Sequence, residues 1–101
     1  MVIKDQNLLL AFKLAPRCEW CGQRGYLQAH HLFTRGMGGG GRLDVPINLV
    51  SLCVCCHRLH HDGHEPLTLD LLGVVARREG TTQDAIRAEI QRLRRLDRHA
   101  R

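Results

Sequence analysis

Four of the chain's five cysteines form two Cys-x-x-Cys pairs, Cys18 with Cys21 and Cys53 with Cys56, and 31 residues separate the pairs. Each pair sets two thiolates at one tight turn, so both reach a single ion. Two such turns close a tetrahedral four-sulfur site, the chemistry of a structural Zn²⁺ that contributes folding energy directly. The gap is longer than the ~15–20 residues of ordinary four-cysteine fingers, so a strand, a loop and a second strand must fit between the knuckles. Cys55, the odd cysteine, is expected to point away from the ion as a packed thiol.

Histidine is the second chemical residue type, and six of seven fall between positions 30 and 64. His30 and His31 are adjacent on an apolar, strand-like run. His57 and His61 are four apart, so on a helix they share a face and can grip one ion. A strand pair facing a helix pair, tied by the knuckles, suggests a second metal or catalytic site. A competing assignment puts some of these imidazoles in the zinc centre, for example His57 in place of Cys56.

The elements that must position these groups follow from pattern and punctuation. Residues 2–14 read as a helix closed by Pro16. Tyr26–Phe33 reads as a strand, Thr34–Pro46 as a glycine-rich loop, and Ile47–Ser51 as a second extended segment. Cys53–His61 begins a helix that ends near Gly63. Leu67–Arg78 and Thr81–Arg98 form two further helices, the latter opened by Thr81 and Asp84 as a capping box and carrying Ile86, Ile90 and Leu93 on one face. Trp20 and Tyr26 are expected in the core.

Composition bounds the rest. The chain has 101 residues, 44% hydrophobic but only 4% aromatic, so its own apolar core is thin and a metal is a natural supplement. The expectation is one domain over residues 1–101, with a motif at 18–63 and a helical extension at 67–99. No apolar run approaches the ~18 residues of a membrane span. The first residues lack the small-x-small site of a signal peptide, which points to a cytoplasmic protein whose cysteines are metal ligands rather than disulfides. The net charge is +5, and 13 of the 15 basic residues are arginine, the side chain best matched to phosphate. Arg35, Arg42 and Arg58 flank the histidines and are expected to meet phosphates. Arg87, Arg94, Arg98 and Arg101 fall within about 60° on the last helix, a stripe read as a solvated face or a second contact with DNA.

The stretch CEWCGQRGYLQAHHLFTRGMGGGGRLDVPINLVSLCVCCHRLHHDG, residues 18–63, closely resembles the HNH endonucleases of the four-cysteine zinc subtype. It carries in order CxxC, HH, a glycine-rich loop, NLVSLC and CxxCH. The resemblance implies an α+β fold: a small ββα-metal (His-Me) finger with a structural zinc, flanked by N-terminal and C-terminal helices. It implies hydrolysis of phosphodiester bonds in double-stranded DNA. His31 would be the general base and Asn48 the residue that orients it and braces the loop. His30, His57 and, in the HH-type members, His61 would hold one catalytic divalent ion. An all-imidazole set suits Ni²⁺, Co²⁺, Zn²⁺ or Mn²⁺ better than Mg²⁺. The size suits a phage or mobile-element protein, in a bacterial or phage-infected host, acting beside a packaging or recombination partner. The rival readings are a nuclease selective for junctions or branched DNA, and a zinc-ribbon DNA-binding module without turnover.

Overall fold

A computed structural model of the chain describes residues 3–33, 43–61 and 70–99, the side chains of 59–61 and 97–99 excepted. The expected loop at 34–42, the helix start at 67–69 and the side chains of Arg35, Arg42, His60, His61, His64, Arg98 and Arg101 lie outside what it describes.

The first helix, α1, is Gln6–Lys13, shorter than the apolar pattern predicts. Asp5 stops it from starting earlier: its backbone is extended, and its carboxylate accepts the Leu8 N–H at 3.0 Å, satisfying a donor that has no partner within the helix. Ile3 is taken instead into a parallel bridge with Leu43, where its carbonyl accepts the Asp44 N–H at 2.8 Å.

Two antiparallel strands follow, β1 (Leu27–His31) and β2 (Leu49–Cys53). Their register pairs Leu27 with Cys53, Ala29 with Ser51, His30 with Val50 and His31 with Leu49. Every residue of β2 is buried, so polar and apolar residues do not alternate along it, and its polar member, Ser51, donates its hydroxyl to the Phe12 carbonyl at 2.7 Å. A single 3₁₀ turn, Pro46–Asn48, feeds β2, with Pro46 supplying the fixed φ at its start. The extended segment expected from Ile47 therefore begins two residues later and ends two residues later. Helix α2 (Val54–His61) leaves β2 without a connecting loop.

Helix α3 is Leu71–Glu79, opened by the Asp70 carboxylate on the Gly73 N–H at 3.0 Å and closed by Gly80 at φ +67°. Helix α4 is Gln83–His99. Its cap is Thr82 rather than Thr81, with Oγ1 accepting the Ala85 N–H at 3.1 Å. Ile86, Ile90 and Leu93 of α4 are buried as the helical spacing requires, in one core cluster with Leu71 and Val75 of α3 and Val50 and Leu52 of β2. The result is a small mixed α+β unit, with a two-stranded sheet that contacts α1, α2 and α3.

Arg78 fastens this unit. From α3 it donates to both carboxylate oxygens of Glu19 at 2.8 and 2.9 Å and to the Pro46 carbonyl at 2.6 Å, while its guanidinium lies 5.0 Å from the Phe12 ring centre. It thus links α3 to α1, to the 3₁₀ turn and to the first cysteine turn. Two expected core residues are not in the core: Trp20 is 43% and Tyr26 79% exposed. Trp20 lies inside the first Cys-x-x-Cys turn and Tyr26 five residues beyond it. Hydrogen bonds, and the sulfur cluster described next, hold that turn in place without their rings.

Candidate metal centre

The first knuckle is built by hydrogen bonds local to the turn. The Cys18 N–H donates to the Gln23 carbonyl and the Gly22 N–H to the Cys18 carbonyl, both at 2.9 Å. Gly22 takes φ +77°, a value costly for any residue with a side chain. Glu19 then pins the turn to β2: its N–H donates to the Ser51 carbonyl and its carboxylate accepts the Ser51 N–H at 2.6 Å. The second knuckle needs no separate turn. Cys53 ends β2, Cys56 lies in the first turn of α2, and the Cys56 N–H points at the Cys53 sulfur at 3.5 Å.

The sulfurs of Cys18, Cys21, Cys53 and Cys56 all lie within 4.8 Å of one another. A tetrahedral site with Zn–S bonds of ~2.3 Å needs sulfurs about 3.8 Å apart, and Cys21 and Cys53 stand at 3.7 Å. The four residues therefore fit a zinc ion in donor type and in spacing. Cys56 belongs to the sulfur cluster, so His57 does not replace it. Cys55 is outside the cluster and exposed, not packed as expected; the α2 helix turns it away from the face that Cys56 buries.

The thiols' acidities show why such a cluster calls for a cation. Burial works against ionisation of Cys18, but the backbone N–H groups of Cys21, Cys53 and Trp20 prevail and bring it down to about 7. Cys56 moves the other way, raised by burial and by the neighbouring Cys53, Cys21 and Cys18 sulfurs. Cys18 gives up its proton readily, while Cys21 and Cys56 hold theirs. Four thiolates at this spacing need positive charge among them.

Behind this cluster, β1 and α2 bring imidazoles together. His30 is 5% exposed, and its ring centre lies 4.8 Å from that of His57, edge to face at 66°. The His57 Nδ1–H donates to the side-chain oxygen of Gln28, which shares a strand face with His30. An amide oxygen only accepts, so Nδ1 of His57 carries the proton and Nε2 is the nitrogen with a lone pair. Two rings on facing elements, one oriented by an outer hydrogen bond, match what imidazole ligation of a divalent ion uses.

His31 has different company. Strand alternation turns it away from Gln28 and His30, and its Nε2 lies 2.7 Å from Oδ1 of Asp44, a carboxylate whose side chain is fully buried. Asn48, also fully buried, spans the ends of segment 34–42: its Oδ1 accepts the Phe33 N–H at 2.7 Å, and its Nδ2 donates to the carbonyls of Phe33 at 3.2 Å and Leu43 at 2.9 Å. Arg58 is exposed on α2. On α4, Arg87 is exposed and Arg94 half-buried. Gln28, Asp44, Glu19 and Arg78 complete the site's supports, and no motif drew attention to them. Gln28 was within reach of period-2 reasoning from His30, but Asp44 was not.

Among the described residues no helix is long and apolar enough to cross a membrane. Comparison with protein-family models, with curated proteins and with solved structures found no match.

Proposed function

We propose that this chain is a metal-dependent DNA endonuclease of the HNH type, its strand–strand–helix unit a ββα-metal finger. The observation that carries the reading is the meeting of His30 on β1 with His57 on α2, one residue beyond the four-sulfur cluster. In this reading Cys18, Cys21, Cys53 and Cys56 hold a structural zinc. His30 and His57, with His61, hold a second divalent ion. When bound, that ion stabilises the charge on the phosphorane and on the leaving 3′ oxygen. His31 takes a proton from water, and the resulting hydroxide attacks phosphorus in line with the departing oxygen. Asn48 keeps the two ends of segment 34–42 fixed beside His31. Arg58, with Arg35 and Arg42, meets flanking phosphates. The substrate is double-stranded DNA, in a bacterial or phage-infected cytoplasm and beside a packaging or recombination partner.

The reading makes a geometric demand: the exposed edge of His31 and the His30–His57 pair must reach one phosphate. Supercoiled-plasmid nicking by wild type, His31→Ala and His57→Ala, with metal analysis of each, tests it. The expected result is two divalent ions per wild-type chain, one in His57→Ala, and nicking lost in both variants. Mn²⁺ or Ni²⁺ should support nicking at least as well as Mg²⁺, because the ligands are imidazoles. Full nicking by His31→Ala removes His31 from the role of base. DNA binding without nicking under any divalent ion replaces the enzyme reading with that of a zinc-ribbon binding module. A preference for four-way over linear DNA makes it a junction nuclease.

A further inference from the structure

The buried carboxylate of Asp44 is a group that the proposed chemistry does not use. Its two oxygens are committed in different directions. Oδ2 accepts the backbone N–H of Asp5, the residue that caps α1, at 2.8 Å. Oδ1 lies 2.7 Å from Nε2 of His31. The Asp44 side chain is fully shielded from solvent, whereas that of His31 is 23% exposed. A buried carboxylate is an acceptor on both oxygens, and a charge in such a place is costly unless held by donors. The nitrogen facing it must therefore carry the hydrogen.

We propose that Asp44 is the positioning residue of His31: its carboxylate holds the neutral ring as the Nε2–H tautomer and leaves Nδ1 as the nitrogen that accepts a proton. The same carboxylate anchors to the start of α1, so the ring is oriented from that helix. The catalytic consequence rests on the nuclease reading; the tautomer does not.

Replacing this carboxylate by an amide gives a sharp contrast. The Asp5 N–H can only donate, so in Asp44→Asn the amide oxygen must remain on it. The amide NH₂ is then turned toward His31, and Nε2 becomes the acceptor. Asp44→Asn should thus keep the α1 anchor and invert the ring to the Nδ1–H tautomer, moving the lone pair to the wrong nitrogen. In serine proteases the same exchange behind a catalytic histidine lowers kcat by about 10⁴.

The test is ¹⁵N ring spectroscopy of zinc-loaded protein at about pH 9, where a free imidazole is neutral. Wild type should show His31 with a protonated Nε2, and Asp44→Asn a protonated Nδ1. The wild-type spectrum alone decides the tautomer should the variant fail to fold: a protonated Nδ1 there overturns the proposal. Plasmid nicking by Asp44→Asn should show kcat reduced on the order of a hundredfold or more with KM within about threefold, and no further loss when combined with His31→Ala. An inverted ring with unchanged kcat overturns the positioning role. Wild type without nicking refutes the nuclease reading instead, while the ring spectra still decide the tautomer.

Discussion

Asn48→Ala should be among the most destabilising single changes in this chain, and its cost can be worked from three hydrogen bonds. The side chain is fully buried and bridges Phe33 to Leu43. Truncation leaves the Leu43 carbonyl without this donor in a buried setting, at ~1–3 kcal/mol. The Phe33 N–H and carbonyl lose theirs in a half-buried setting, where water recovers part of the loss, so about 1 kcal/mol more is reasonable for the pair. The small void adds up to ~1 kcal/mol. The sum is ~2–5 kcal/mol, a large share of the ~5–15 kcal/mol that holds a domain together. At ~4–8 °C per kcal/mol for this size, melting should fall by ~8 °C or more. The assay is urea or thermal unfolding of zinc-saturated protein, with the exposed Asn7→Ala as a control expected within ~0.5 kcal/mol of wild type. Asn48→Asp should be worse than alanine, because it keeps the acceptor for Phe33 but turns a carboxylate oxygen on two carbonyls. A loss below ~1 kcal/mol for Asn48→Ala would mean that these bonds do not brace the segment.

The thiol cluster gives a pH prediction for reduced, metal-free protein. Cys18 is held at about 7 in the fold against a usual 9.0, so its contribution is complete above pH 9 and is lost as pH falls through 7. Cys56 and Cys21 are raised, so their contribution is present below pH 9 and is lost above it. Stability measured by urea unfolding should therefore peak near pH 9, and a monotonic rise through pH 11 would contradict the cluster's electrostatics. Arg78→Ala removes a two-toothed contact to Glu19 and a contact to the Pro46 carbonyl, from a side chain 26% exposed. It should lower stability by ~1–2 kcal/mol and speed zinc transfer to a chromogenic chelator, since Glu19 lies between Cys18 and Cys21; an unchanged release rate would separate the arginine from the knuckle.

The two Cys-x-x-Cys pairs, the helical face of Ile86, Ile90 and Leu93, and the strand carrying the paired histidines are all legible in the sequence, because each is set by spacing along a few residues. Local signals misjudged where elements end. A capping aspartate at position 5 starts α1 four residues late, and a 3₁₀ turn delays β2. Trp20 and Tyr26 read as core residues, but hydrogen bonds and a sulfur cluster close the first knuckle without burying them.

Sequence alone determined which chemical groups exist and which can meet within one turn of chain: four thiols in two pairs, and imidazoles spaced for a strand and a helix. Tertiary structure decided which groups share surroundings. The register of β1 on β2 and the direct exit into α2 put His30 against His57, while strand alternation gave neighbouring His31 to Asp44, 13 residues away. That division arises because a strand sends successive side chains to opposite faces, and what waits on each face is set by segments that pair across the fold, not by residues nearby in the chain.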